Sequence, residues 1–148
     1  MIRSFRDADL EPMLDVWQAA NAVAHPFMDD AFVAQERRNI PEVYMPHADT
    51  WIFDDDGTVR GFLALIGNEV GAIFVDPAHH GAGIGRALMD HARTLHEVLE
   101  VEVFEVNAIG RRFYDRYGFT LLEKKHHEPT DQPVLRLQLS ADAGTETP

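Results

Sequence analysis

The chain has 148 residues, no cysteine, and 13 Lys and Arg against 25 Asp and Glu, a formal net charge of −12. This length suits a single domain with a real core; the missing cysteines exclude disulfides, thiolate metal sites and a cysteine nucleophile; and the acidic balance disfavours nucleic acid, whose affinity rests largely on phosphate neutralisation. No stretch approaches the roughly 20 apolar residues of a membrane span, and the N-terminus has no apolar signal core, so a cytoplasmic protein without membrane partners is expected. An acidic surface attracts cations, and an amine is a cation.

Ile2 to Arg6 alternates like a short strand. Asp7 or Asp9 can then cap a helix with Leu10, Met13, Leu14, Trp17 and Ala20 at three- and four-residue spacing. Pro26 ends that helix around Ala24 to Phe27, because the residue before a proline is pushed out of the helical region. A second helix is expected from Asp30 to Asn39, with Pro41 and Pro46 punctuating the loop behind it. Thr50–Phe53 and Thr58–Ile66 read as two strands joined by a hairpin turn over Asp54–Gly57.

Val70–Val75 is the next strand, followed by a glycine-rich turn and a helix from Gly83 to about Leu99 with Ile84, Leu88, Leu95 and Leu99 on one face. Glu100–Val106 reads as a strand and Asn107–Tyr117 as a helix. Phe119–Glu123 and Val134–Leu139 complete seven strands. Ser140 onward has no apolar pattern and is expected to be a disordered tail, which bounds one α/β domain at residues 1–139. Trp17, Phe62, Phe74, Phe113 and Tyr117 read as core aromatics.

The turn His80-Gly81-Ala82-Gly83-Ile84-Gly85 places three alternate glycines where a strand passes into a helix. Glycine has no Cβ, so the backbone can approach a ligand and turn its N–H groups inward, while the following helix adds unpaired amides and a positive dipole end. That is chemistry for an anion such as a pyrophosphate. A Walker loop would need Gly-Lys-Ser/Thr, and a dinucleotide fingerprint a glycine three residues after Gly83; Arg86 stands where either would diverge. A second motif begins about 22 residues on, Asn107-Ala-Ile-Gly-Arg-Arg-Phe113-Tyr114-Asp-Arg-Tyr117-Gly118-Phe119, with Asn107 as the helix cap and Gly118 as the left-handed stop.

Val75-Asp76-Pro77 with the triple-glycine turn, followed by Asn107, Phe113-Tyr114 and Gly118-Phe119, resembles the GCN5-related N-acetyltransferase (GNAT) superfamily. The likeness runs from the first strand to about Leu139, and is greatest to its small bacterial members of the YjaB type. It departs from the family at His80, where Gln or Arg is usual, and at Gly110, often Ala, where glycine should cost the helix about 1 kcal/mol.

The resemblance implies a GNAT fold, a single twisted mixed sheet of about seven strands with helices on both faces, and a direct transfer of acetyl from acetyl-CoA to a primary amine of a small molecule or peptide. It places the pantetheine arm beside Phe74 and Val75, and the pyrophosphate on His80, Gly81, Ala82, Gly83, Ile84, Gly85 and Arg86. Asn107 and Tyr114 complete the cofactor set, with Tyr114 also the general acid toward the leaving thiolate. Glu69 is the expected general base, Glu105 and then His25 the reserves. His25, Phe27 and Tyr44 are expected to cover the acceptor groove. No metal is implied: the histidine pairs His79-His80 and His126-His127 are adjacent, and adjacent side chains rarely converge on one ion. Either a monomer or a homodimer is compatible, and a noncatalytic acyl-CoA-binding sensor is the alternative.

Overall fold

The structure, a computed structural model, describes residues 1–140; the expected tail lies, from residue 141, outside them. The strands are β1 (Ile2–Ser4), β2 (Asp49–Asp55), β3 (Thr58–Ile66), β4 (Glu69–Val75), β5 (Leu99–Phe104), β6 (Thr120–His127) and β7 (Gln132–Leu139). They form one sheet in the order β1-β2-β3-β4-β5-β7-β6, antiparallel throughout except between β4 and β5. The helices are α1 (Leu10–Ala24), α2 (Asp30–Asn39), α3 (Ile84–Leu95) and α4 (Ala108–Tyr117).

Strand alternation assigns the helices to two faces. On one, Ile52 and Phe62 bury against Met13, Leu14 and Trp17 of α1, with Val33 of α2 packed on the edge of the cluster. On the other, Leu63 and Leu65 share a core with Leu88, Met89 and Ala92 of α3 and with Tyr114 of α4. The β2–β3 hairpin turns through Asp56 (φ +52°) and Gly57 (φ +92°), both left-handed as a two-residue hairpin turn requires, and the Asp54 carboxylate accepts from Gly57 N–H at 2.7 Å.

Between β4 and β5 the sheet comes apart. Only Glu69↔Glu100 and Val70↔Val101 are in register. On its other side β4 faces β3 with Val70 opposite Leu65 and Ala72 opposite Ala64, which leaves Gly71 unopposed. Such a bulge bends its strand and raises the local twist. It sits at the point where β4 leaves β5, and the two strands open into a wedge.

Several boundaries differ from the sequence expectation. Helix α3 stops at Leu95, because His96 takes an extended conformation (φ −143°); Leu95 is 44% exposed and Leu99 belongs to β5 with no exposure. The buried face of α3 is therefore Ile84, Leu88, Met89 and Ala92. Strand β5 ends at Phe104 rather than Val106, since Asn107 N–H turns back to the Phe104 carbonyl (2.9 Å). Strand β6 runs on to His127, and the segment behind α2 is coiled into a π-helical turn, Ile40–Tyr44, and a 3-10 turn, Met45–His47.

Helix α4 has both expected caps. The Asn107 side chain accepts from Gly110 N–H (2.9 Å), and Gly118 closes the helix at φ +117°. Gly110 is not the plain loss of helix propensity that its residue type suggests: a Cβ there would lie 2.6 Å from Asn107 Nδ2, so alanine would displace the cap.

Leu88 carries the packing of α3 on the sheet and has no exposed surface. Leu88→Ala is expected to cost about 2–5 kcal/mol of stability, seen in urea denaturation as a lower midpoint at unchanged slope.

Candidate active site

The wedge between β4 and β5 is the wall of a cavity of about 610 Å³. Val70–Val75 line one side and Val101–Phe104 the other. The end of α1 contributes Ala20, Ala24 and His25 from one face of the sheet; the glycine turn and α4 contribute from the opposite face. The cavity is thus lined from both helical layers.

At the glycine turn, Gly81 and Gly83 both have φ +84°, and a Cβ on either would meet no atom within 4 Å. Internal crowding does not demand glycine here; the left-handed backbone does, and beside it the chain leaves open space. Gly83 is the N-cap of α3, so the first amides of that helix face the same space, the arrangement that binds phosphate. Of the seven residues expected at this turn, all but Ala82 line the cavity. The His80 ring folds back, with Nε2 at 3.1 Å from the Val75 carbonyl oxygen. A carbonyl only accepts, so Nε2 carries a proton. Phe74, Val75, Asn107 and Tyr114 also line the cavity.

Tyr114 is 8% exposed, its ring edge-on to Phe113 at 5.5 Å and to Phe119 at 5.4 Å. Burial pushes its phenol well above the ordinary value, so it stays protonated. Phe113, expected as core, lines the cavity too.

Asn107 links α4 to the end of α1. Its Oδ1 is taken by Gly110 N–H, so Nδ2 faces His25 Nε2 at 3.4 Å. Nε2 must then accept, which leaves the imidazole proton on Nδ1 to donate to Asn21 Oδ1 at 2.7 Å. His25 is boxed by Phe104 and Phe27, with ring centroids 5.0 and 5.8 Å away, and burial lowers its pKa from 6.5 to about 4. A neutral imidazole is what this hydrogen-bond pattern needs.

The acids fall elsewhere than expected. Glu69 lies at the closed end of the wedge, outside the cavity lining, with Arg136 Nη2 at 3.3 Å. Glu105 is also outside it and pairs with Lys124 at 2.8 Å. Glu102 is the carboxylate in the lining. Burial alone would raise its pKa, but hydrogen bonds from Lys125 and Arg136 prevail and lower it, so it is ionised at neutral pH. Of the expected acceptor residues, His25 lines the cavity; Phe27 does not, but packs on Phe104, which does. Tyr44 is remote: its hydroxyl donates to the Glu36 carboxylate at 3.0 Å, because the π-helical turn aims it along α2. Among the described residues no three His, Asp or Glu side chains group as a metal site.

Residues 46–121, just over half of the chain, match the acetyltransferase (GNAT) domain model. The sequence is 31% identical to the peptidyl-lysine N-acetyltransferase YjaB of Salmonella typhimurium, over 93% of this chain and 95% of that protein. It is 28% identical to the peptidyl-lysine N-acetyltransferase YiaC of Escherichia coli, over 90% of this chain and 92% of the relative. The solution structure of apo YjaB from Escherichia coli superimposes with a TM-score of 0.83 at 26% identity, covering 93% and 95% of the two chains. The chain belongs to the GNAT acetyltransferase family. It is an acetyl-CoA-dependent N-acetyltransferase.

In this acetyltransferase the space beside Gly81 and Gly83 is open, with no atom within 4 Å of where a Cβ would lie. Sequence reading missed Glu102, Phe104, Arg112 and Arg116, all in the cavity lining. Phe104 and Glu102 occupy the strand positions opposite in parity to Val101 and Val103, and only the opening of the wedge turns that face from solvent into a site. Arg112 and Arg116 follow one another at i, i+4 on α4, a spacing that could have pointed to one shared side.

The unfolded chain takes a proton at His25 near pH 6.5 and the folded chain only near pH 4. The stability tied to the neutral ring is therefore complete above pH 6.5 and lost as pH falls toward 4, at no more than about 1.4 kcal/mol per pH unit. His25→Gln removes that contribution, so melting temperature between pH 6.5 and 5, above the carboxylate range, should fall less steeply in the variant than in the parent. Equal slopes would mean that the ring is solvated.

Proposed function

We propose that this acetyltransferase modifies the side-chain amine of lysine in a peptide or protein. Its relatives YjaB and YiaC carry the name peptidyl-lysine N-acetyltransferase, and a carboxylate on the cavity wall of a strongly acidic chain suits a cationic acceptor. The observation that carries the mechanism is the placement of Tyr114 and Glu102 on one cavity. The acceptor approaches from the α1 side, past His25 and Phe104; the acetyl-CoA approaches along β4 from the glycine turn.

Transfer requires a neutral amine. Glu102 is ionised and, through ordered water, passes the ammonium proton on to solvent, since a carboxylate far below an alkylammonium of pKa about 10.4 cannot hold it. The amine nitrogen then forms its bond to the thioester carbonyl carbon, the carbon–sulfur bond breaks, and the sulfur leaves with the electron pair. Tyr114 gives its hydroxyl proton to that sulfur, and the second proton that the nitrogen sheds as it becomes an amide restores the phenol. Burial makes Tyr114 a weaker acid than a solvated phenol, yet a thiolate forming in the same dry cavity is raised in basicity for the same reason, so the transfer stays workable. Unpaired amides of β4, freed by the parting from β5, are available to the carbonyl oxygen as it becomes negative. The cytoplasm is the compartment this reading implies, where acetyl-CoA meets unmodified lysines. Among the described residues no helix is long and apolar enough to cross a membrane.

Lysine peptides incubated with acetyl-CoA should gain one acetyl group at the side-chain nitrogen, read by mass spectrometry; modification confined to α-amines would reject the lysine assignment. On a verified peptide, Tyr114→Phe should lower kcat by roughly 10²–10⁴ while acetyl-CoA affinity stays within a few-fold.

Glu102→Gln should lose rate most at low pH and recover as pH approaches the amine's own pKa, with Glu69→Gln near wild type. A loss in Glu69→Gln with Glu102→Gln unaffected would return the base to the closed end of the wedge.

A further inference from the structure

Lysine is scarce in this chain. Of its 13 basic residues two are lysines, Lys124 and Lys125, and the rest are arginines. A guanidinium keeps its proton and offers no free nitrogen lone pair for acyl transfer, so these two are the side-chain amines that the enzyme itself carries. The N-terminal ammonium is the remaining amine, and it donates to the Asp54 carbonyl at 3.0 Å, beside β1 at one edge of the sheet. Lys124 and Lys125 lie on β6 at the other edge.

The two neighbours point to opposite faces of the sheet, as successive strand residues must. Lys124 stands opposite Leu135, which belongs to the core shared with α3 and α4, and Lys125 opposite Val134. Lys124 Nζ pairs at 2.8 Å with Glu105, which lies outside the cavity lining. Lys125 Nζ donates at 2.8 Å to Oε2 of Glu102, the carboxylate within that lining. The same oxygen accepts from Arg136 Nη1 at 3.0 Å. Edge strands carry lysines that block pairing with another chain, and this accounts for lysines on β6. It does not account for an ammonium seated on the cavity carboxylate, because an edge lysine does that work in solvent.

We infer that Lys125 is a self-acetylation site, its Nζ taking the acetyl group from acetyl-CoA bound in the cavity of the same chain. This rests on the lysine-acceptor reading of the cavity and goes beyond it, since Lys125 occupies the position at Glu102 that the reading gives to an incoming lysine. The amine is held beside the cavity on a flexible stem, which raises its effective concentration there over that of a free peptide. Pairing with Glu102 raises the pKa of Lys125, so Nζ first sheds a proton to solvent by the same water relay as any other acceptor. Nζ then forms its bond to the thioester carbonyl carbon, the carbon–sulfur bond breaks, and the sulfur leaves with the electron pair and takes the Tyr114 proton; the second proton lost by the nitrogen restores the phenol. The products are acetylated Lys125 and CoA. Acetylation removes the charge of Lys125, and Arg136 is left as the partner of Glu102 Oε2.

Incubation of the full chain with acetyl-CoA carrying a deuterated acetyl group, followed by mass spectrometry with fragmentation across residues 124 and 125, tests the assignment; the label separates new acetyl groups from any acquired during expression. Lys124 is the internal control. Its side chain is 59% exposed against 45% for Lys125, so uncatalysed acetylation should favour Lys124. The wild type should instead label Lys125 at least about tenfold faster than Lys124, with a rate constant independent of protein concentration. In the Tyr114→Phe variant, with its melting temperature checked, labelling of Lys125 should fall to about the level of Lys124, and wild type unfolded in urea should show no preference for Lys125. Equal or greater labelling of Lys124 in the native wild type, a preference for Lys125 that survives Tyr114→Phe, or a rate constant that rises with protein concentration would overturn self-acetylation within the chain and leave peptide acetylation intact. Label on neither Lys125 nor an added lysine peptide would overturn the lysine-acceptor reading itself.

Discussion

Everything at the site follows from one backbone event, the parting of β4 from β5 after two residues of parallel pairing. A parallel pair that continued would satisfy both strands and fill the middle of the sheet with apolar side chains. The unopposed Gly71 bends β4 just beyond Val70, and the backbone amides beyond it lose a strand partner. Unpaired backbone groups are costly when dry, and on the proposed reading a ligand lying along the strand edge would satisfy them. The gap also gives the two sides of β5 different fates. Val101 and Val103 are buried in the core shared with α3 and α4 as well as lining the cavity, while Glu102 and Phe104 line it from outside that core.

The cavity is electrically asymmetric. Toward the α1 side stand a neutral histidine, an ionised Glu102 and aromatic rings; toward the glycine turn stand helix amides and the arginines Arg86, Arg112 and Arg116. On the proposed reading, an anionic donor and a cationic acceptor would be drawn to opposite ends, and charge would help orient the two substrates toward each other. Arg136 keeps the acidic side from becoming self-repulsive, since one guanidinium binds Glu69, Glu100 and Glu102 together.

The Asn21–His25–Asn107–Gly110 chain joins the end of α1 to the start of α4. Each member is determined by the next: the Gly110 amide orients Asn107, Asn107 sets the tautomer of His25, and His25 holds Asn21. Tyr114 stands two turns beyond Asn107, near the same face of α4, so the cap that starts the helix also sets where the phenol points. The missing Cβ at Gly110 is part of this arrangement, because the space it would fill is occupied by the Asn107 amide.

The glycine turn, the capped helix with Tyr114 and the β2–β3 hairpin were legible in the sequence because each is decided locally, by residues that alone permit a left-handed φ or satisfy a helix end within a few positions. The ends of α3 and β5 were not legible, since no glycine or proline marks them and the demands of the sheet override periodicity. The acid facing the cavity could not be read either. Glu69, Glu100, Glu102 and Glu105 are alike as residue types, and Glu102 is distinguished only by which strands pair and where the pairing stops. The sequence by itself determined the order of the elements and the left-handed glycine turn, which depend on short-range backbone chemistry. Only the tertiary structure decided which carboxylate, which aromatic ring and which arginines share the cavity, because that depends on the register of strands far apart in the chain and on a gap between two of them.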